Sequence, residues 1–264
     1  MAALSGKNGR VYAANLLVED CEDTWNESDP VAGVAISTVA GVSGNAARAT
    51  TTTVGAATLL MSEVISKDLS TYDALGFWIR SSVNTVDGDL EVQLDDTVAC
   101  ASPVETLSVP ALTANEWRFC VVRFATPASL TTLISVGLYQ SADLADGTFD
   151  IDAVYALAET DGMKNWSIDY TADTVEVTDF QSDGVAEYIP TITRWSGSFD
   201  GDKDGAPLSI GSEIYLGLGE SKTETQVWGG AAILTGVSAS TAFDGAVTYS
   251  YTLQGTGRLS VPTA

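Results

Sequence analysis

The chain has 264 residues, 45% of them hydrophobic, and its 35 acidic side chains outnumber 12 basic ones for a formal net charge of −23. That size and apolar content are enough for one large domain or two modest ones with a buried core, and exclude a disordered chain; the acidity repels phosphate backbones and excludes ordinary nucleic-acid binding. There is no histidine, which removes Ser-His-Asp and Cys-His catalysis, histidine-ligated zinc and histidine general bases together and leaves carboxylate chemistry, as in glycosidases, open.

Met1 to Val11 carries no apolar stretch of the signal-peptide type, and no run approaches the roughly 20 apolar residues of a membrane span. Cys21, Cys100 and Cys120 are odd in number and lack CxxC spacing. They read as free thiols in a reducing compartment, so a soluble protein made in a cytosol is expected.

Thr, Val, Ser, Gly and Ala dominate, which predicts a mostly β chain. Two textures follow in chain order. From Leu16 to Ala158 short strands alternate with turns; from Glu159 onward the alternating segments are fewer and longer. The first part holds 20 acids and 5 bases and the remainder 15 acids and 7 bases, net −15 and −8.

In the first part Leu75, Phe77 and Ile79 alternate with Trp78 and Arg80. Leu90, Val92 and Leu94 alternate with Glu91, Gln93 and Asp95. Trp117, Phe119 and Val121 alternate with Arg118, Cys120 and Val122, and Ile134, Val136 and Leu138 with Ser135, Gly137 and Tyr139. Phe149, Ile151 and Ala153 alternate with Asp150 and Asp152. Strands of this length with one apolar face predict two stacked antiparallel sheets.

In the second part Trp166, Ile168 and Tyr170 alternate with Ser167, Asp169 and Thr171. Trp195, Gly197 and Phe199 alternate with Arg194, Ser196 and Ser198. Val247, Tyr249, Tyr251 and Leu253 alternate with Thr248, Ser250, Thr252 and Gln254. Turns are predicted at Ser182-Asp183-Gly184, Asp200 to Pro207 and Phe243-Asp244-Gly245, and a short helix at Ser221 to Val227.

Several stretches resemble the major tail-tube proteins of long-tailed bacteriophages of the siphovirus type. They are MAALSGKNGRVYA at the start; KNWS, the D-T-x-x-V-T-D-F run and RWSGSF in the middle; GAPLSIGSEIYLGLGES; and the closing TYSYTLQGTG. Together they cover nearly all of 1–15 and 159–264. LLVEDCEDTW, SKDLSTYDALGFWIRSS, NEWRFCVVRFA and TFDIDAVYA, between them, are similar to jelly-roll modules of the carbohydrate-binding type. The expected architecture is all-β: a discontinuous tail-tube sandwich or barrel domain (1–15 plus 159–264) carrying an inserted antiparallel jelly-roll sandwich (16–158).

The resemblance implies a structural virion protein and not an enzyme. It would be made in the host cytoplasm and stacked as hexameric rings into a tail tube through which DNA leaves the head. Its partners would be itself, the tape measure, tail terminator and distal tail proteins, and DNA passing without sticking; no membrane is involved. Alternation offers Ser167, Asp169, Ser196, Ser198, Thr248, Ser250 and Thr252 as lumen-facing. By analogy the N-terminal arm, Met1 to Arg10, and a long loop near Ala172 to Tyr188 would join rings. The insert would project outward. There Trp78, Arg80, Gln93, Arg118 and Tyr139, on polar-side positions, are candidates for a host-surface glycan, and Asp20, Glu22 and Asp152 for a structural calcium.

Asp200-x-Asp202-x-Asp204-Gly205 mimics the start of an EF-hand loop, but Gly211 stands where the bidentate glutamate belongs, so a turn-rich loop is expected. Gly255-Thr256-Gly257 reads as a close-packed strand end. The competing classes are an adhesion protein working through the jelly roll and a glycosidase using a pair such as Glu91 and Asp95.

Overall fold

The computed structural model describes residues 9–27, 31–179, 181–183, 185–203, 205–221, 226–243 and 245–262. Most of the expected N-terminal arm and of the expected helix at 221–227 lies outside them. The described chain is β throughout, apart from two single 3-10 turns, and every strand pairing described is antiparallel. It parts into two compact units. One takes the chain up to Thr160 together with Tyr215–Gly230 and the residues from Ser260; the other takes Asp161–Ile214 and Ala231–Leu259.

The first unit contains β1 (Arg10–Glu19), β2 (Val34–Ala40), β3 (Asn45–Thr51), β4 (Thr58–Lys67) and β5 (Ala74–Ser81), then β6 (Leu90–Asp95), β7 (Glu105–Ser108), β8 (Arg118–Arg123), β9 (Leu133–Gln140) and β10 (Thr148–Glu159). In its first sheet β5 lies along one side of β10, with β8 beyond it. The other side of β10 is shared: β3 borders its start, with β2 outside, and β1 borders its end. The second sheet runs β4-β9-β6-β7. The expected boundaries at 15/16 and 158/159 both fall inside strands, because β1 and β10 pair across them, Asn15 opposite Leu157 and Leu16 opposite Ala156.

Phe77, Ile79, Cys120, Val122, Phe149 and Ile151 of the first sheet form one apolar cluster with Leu60, Leu90, Val92, Leu94, Val136 and Leu138 of the second. This is the predicted sandwich core, with two corrections. On β8 the inward residues are Cys120 and Val122, while Phe119 faces the other way. On β10 the inward face moves from Ile151 to Val154, because Ala153 takes a left-handed φ of 51° at an irregularity between Asp152 and Tyr155. One extra residue in a strand re-aims every side chain after it.

The outer face of β5 and β8 is also buried. Trp78 meets Phe119 at 5.5 Å, Phe119 meets Tyr215 at 6.1 Å, and Tyr215 stacks on Tyr155 at 4.0 Å. Gly229 lies directly under Phe119, where an added Cβ would come within 2.2 Å of the ring. Tyr215 belongs to β13 (Glu213–Gly219), whose later residues pair with the start of β1. A residue after the jelly roll in sequence thus completes a second apolar layer on it, removing a ring worth roughly 2–3 kcal/mol from water at each large site.

The second unit is built on β11 (Met163–Glu176), β12 (Tyr188–Asp202), β15 (Thr248–Gly255) and the part of β14 (Val227–Ser240) from Ala231, hydrogen-bonded in that order. Its apolar side carries Trp195, Phe199, Leu234, Tyr249, Tyr251 and Leu253, with Phe199 stacked on Tyr251 at 4.8 Å. β12 continues through Asp202, so the predicted turn begins later than Asp200. Asp200 accepts from Asn165, and Asp202 pairs with Lys164 at 2.7 Å.

Candidate functional site

Period-two alternation sends one side of the second unit's sheet to the apolar layer and leaves the other polar. All seven residues expected to line a lumen stand on this polar face. Ser167 lies opposite Ser198, and Ser198 opposite Thr252. The Ser167 and Ser198 hydroxyls are 2.9 Å apart. Asp169 lies opposite Ser196, Ser250 opposite Asp200, and Thr248 opposite Asp202. Asn165, Ser238, Ser240 and Gln254 complete the rows. β14 shifts register between Leu234 and Gly236, which reverses the alternation that the first half of the strand sets and brings Ser238 and Ser240 to this face.

β11 stands at the edge of this sheet and is 14 residues long. Beyond Tyr170 it leaves the layer and continues with β12 alone as a hairpin: Ala172 opposite Thr193, Val175 opposite Ile189, Glu176 opposite Tyr188. The expected long loop from Ala172 to Tyr188 is therefore a paired arm, and only residues between Glu176 and Tyr188 lie outside the strands. Val175, Ile189 and Tyr188 are exposed. Val175–Ile189 and Glu176–Tyr188 are successive pairs, so both faces of the arm carry exposed apolar surface.

No family model and no curated protein matches this chain. Some solved structures are similar to part of it. A chain from the tail of an empty gene transfer agent particle, refined with C6 symmetry, is 18% identical with a TM-score of 0.35 over 41% of this chain and 87% of that one. A chain from the virion of the native gene transfer agent particle is 18% identical with a TM-score of 0.35 over 40% and 89%. A protein from Bacteroides thetaiotaomicron named for sugar binding is 12% identical with a TM-score of 0.33 over 56% and 88%.

The five glycan candidates in the first unit do not form one face. Trp78, Arg80 and Arg118 lie on β5 and β8, and Gln93 and Tyr139 on β6 and β9 of the opposing sheet. Trp78 is 1% exposed beneath Phe119, and Gln93 is buried. Arg118 donates to the Ala111 carbonyl at 2.7 Å. Trp78 does stand on the outward side of β5, but that side is covered by Phe119 and, through it, by Tyr215; on β8 the faces are the reverse of those expected, with Cys120 and Val122 inward. The aromatic beside Arg80 is Trp117, with the guanidinium 4.6 Å from the ring centre. Arg80 and Arg48 both pair with Asp150 at 2.6 Å, a clamp hidden from sequence because Asp150 looked like an ordinary outward residue.

Each of the three calcium candidates accepts from backbone N–H groups. Asp152 is fully buried and its Oδ2 accepts from Val42 and Ser43 N–H at 2.7 and 3.0 Å. Glu22 accepts from the Asn45 N–H at 3.1 Å. Asp20 instead accepts from the Glu22 N–H at 3.2 Å. Among the described residues no group of three or more acidic, cysteine or histidine side chains is placed to hold a metal ion. Glu22 and Asp152 brace the 41–45 loop, and burial pushes the Asp152 carboxyl up to about 6.

Glu91 and Asp95 sit four positions apart on β6, roughly 13 Å along an extended strand. Paired glycosidase carboxylates stand about 5 to 9.5 Å apart. Asp95 is fully buried, accepting from Ser102 N–H at 2.8 Å. All three cysteines are buried and none is in a disulfide, and no helix among the described residues is long and apolar enough to cross a membrane.

Proposed function

We propose that this chain is a phage tail-tube subunit that assembles with copies of itself into stacked rings, with the jelly roll carried on the outside. The observation that carries this is β11, a 14-residue strand at the edge of a sheet with one apolar and one hydroxyl-rich face. A long unpaired edge is an aggregation hazard in a monomer, and closing it against another copy's sheet removes the hazard. In such a ring the Ser167, Ser198 and Thr252 rows face the bore. Small hydroxyls and carboxylates there give DNA no cation to bind, so it slides. The motifs from KNWS to TYSYTLQGTG supply these strands in order. Tape measure, terminator and distal tail proteins would meet the tube at its core and ends.

Electron microscopy of the intact chain at rising concentration tests the proposal. Hollow tubes of uniform bore are expected, with Ser167, Ser198 and Thr252 on the inner wall in a reconstruction. Monomers under every condition, or tubes with these residues outermost, would overturn it.

A further inference from the structure

At the base of the arm is a cleft of ≈ 470 Å³ lined by Tyr170, Thr193, Arg194, Trp195, Arg258 and their neighbours. That is within the range of ligand sites. Its floor is fixed: Trp195 donates to the Gly257 carbonyl at 3.0 Å and covers Gly255, where an added Cβ would come within 2.2 Å of the indole. Arg194 pairs with Asp173, and Glu213 nearby holds the Thr256 hydroxyl at 2.8 Å. Arg258 has no ion-pair partner among the described residues. In a chain with 12 bases against 35 acids, a cleft with two arginines stands out as a seat for a carboxylate.

The arm supplies the complementary charge. Between Lys164 and Arg194 there is no basic residue and there are six acids, of which Glu176, Asp179, Asp183 and Glu187 lie at its far end. That end cannot return to its own cleft, because Tyr188 and Arg194 are six positions apart on one continuous strand, roughly 20 Å. We propose that the cleft receives the acidic arm end of a second copy, with Arg258 as its principal cation. Such a contact joins different surfaces of identical chains, head to tail, and propagates into rings or filaments. It deepens the tail-tube reading and rests on it for the identity of the partner.

Two measurements on the full chain separate the ideas. The first is the concentration at which particles sediment, for wild type, Arg258→Glu, the double variant Glu176→Lys with Glu187→Lys, and all three changes together. Arg258→Glu and the double variant are each expected to raise that concentration about tenfold, and their combination to restore it in part. The second is titration of wild type and Arg258→Glu with a synthetic peptide spanning 172–192, followed by tryptophan fluorescence, with circular dichroism confirming the fold. Saturable binding that Arg258→Glu weakens about tenfold is expected. If wild type assembles and Arg258→Glu assembles at the same concentration, the contact is overturned and the tube reading stands. If wild type never assembles but binds the peptide through Arg258, the tube reading falls and the contact stands. Neither assembly nor peptide binding overturns both.

Discussion

The Asp150 side chain is 1% exposed and accepts from two guanidinium groups, Arg48 through Nε and Nη2 at 2.6 and 2.9 Å and Arg80 through Nε at 2.8 Å. A buried carboxylate is tolerable only with such partners, and removing it leaves two cations facing each other over an apolar strand. Asp150→Ala is expected to cost about 3 kcal/mol, read as a fall in the first unit's melting temperature. Asp152 is also buried, and accepts from the Val42 and Ser43 N–H groups. Burial raises its carboxyl from 3.8 to about 6, and burial likewise raises Glu19 from 4.5 to about 7. A raised carboxyl means that the folded state holds a proton the unfolded chain has released. Its stabilisation is present below the unfolded value and is lost as pH climbs through the folded one. The first unit is therefore expected to melt at a higher temperature at pH 5 than at pH 7.5. Asp152→Asn should keep the bonds to Val42 and Ser43 and reduce that difference; an unchanged pH profile in the variant would refute the assignment.

Among elements, two strands depend on glycine where an aromatic ring lies flat on the backbone. Gly229 of β14 has no room for a methyl group beneath Phe119. Gly229→Ala is expected to cost about 1–3 kcal/mol by overpacking, measurable by denaturant unfolding with an unchanged slope. The arm formed by β11 and β12 presents another kind of element, paired through its backbone yet apolar and exposed on both faces. Its exposed residues add little to the monomer, so Val175→Lys with Ile189→Lys is expected to leave the melting temperature within about 1 °C while weakening assembly. Equal losses of both would make the arm a folding element and not a contact. In sequence this stretch reads as a loop from Ala172 to Tyr188, and the pairing of its two sides was not legible. Residues such as Asp173, Asp179 and Ser182 favour turns locally, while the ladder from Ala172–Thr193 to Glu176–Tyr188 forms between segments about 15 positions apart.

At the scale of the whole molecule, a charge of −23 per copy makes every approach between copies repulsive at long range. Assembly is expected to be slow near 10 mM salt, where the screening length is about 30 Å, and faster near 150 mM, where it is about 8 Å. Light scattering against salt would show it, and assembly fastest at the lowest salt would refute it. By itself the amino-acid sequence determined the all-β class, the inward faces of β5, β6 and β15, and the grouping of Ser167, Asp169, Ser196, Ser198, Thr248, Ser250 and Thr252 on one face of a sheet. Each of these follows from period-two alternation, which is a property of a strand alone. Tertiary structure decided what alternation cannot reach: that Trp78 and Phe119 are buried on the outward side because Tyr215 is brought back over them, that Ala153 shifts the face of β10, and that Glu22 and Asp152 both brace the 41–45 loop. Those outcomes depend on which distant segment covers a face and where one extra residue is accommodated, and both are settled only when non-neighbouring strands pack.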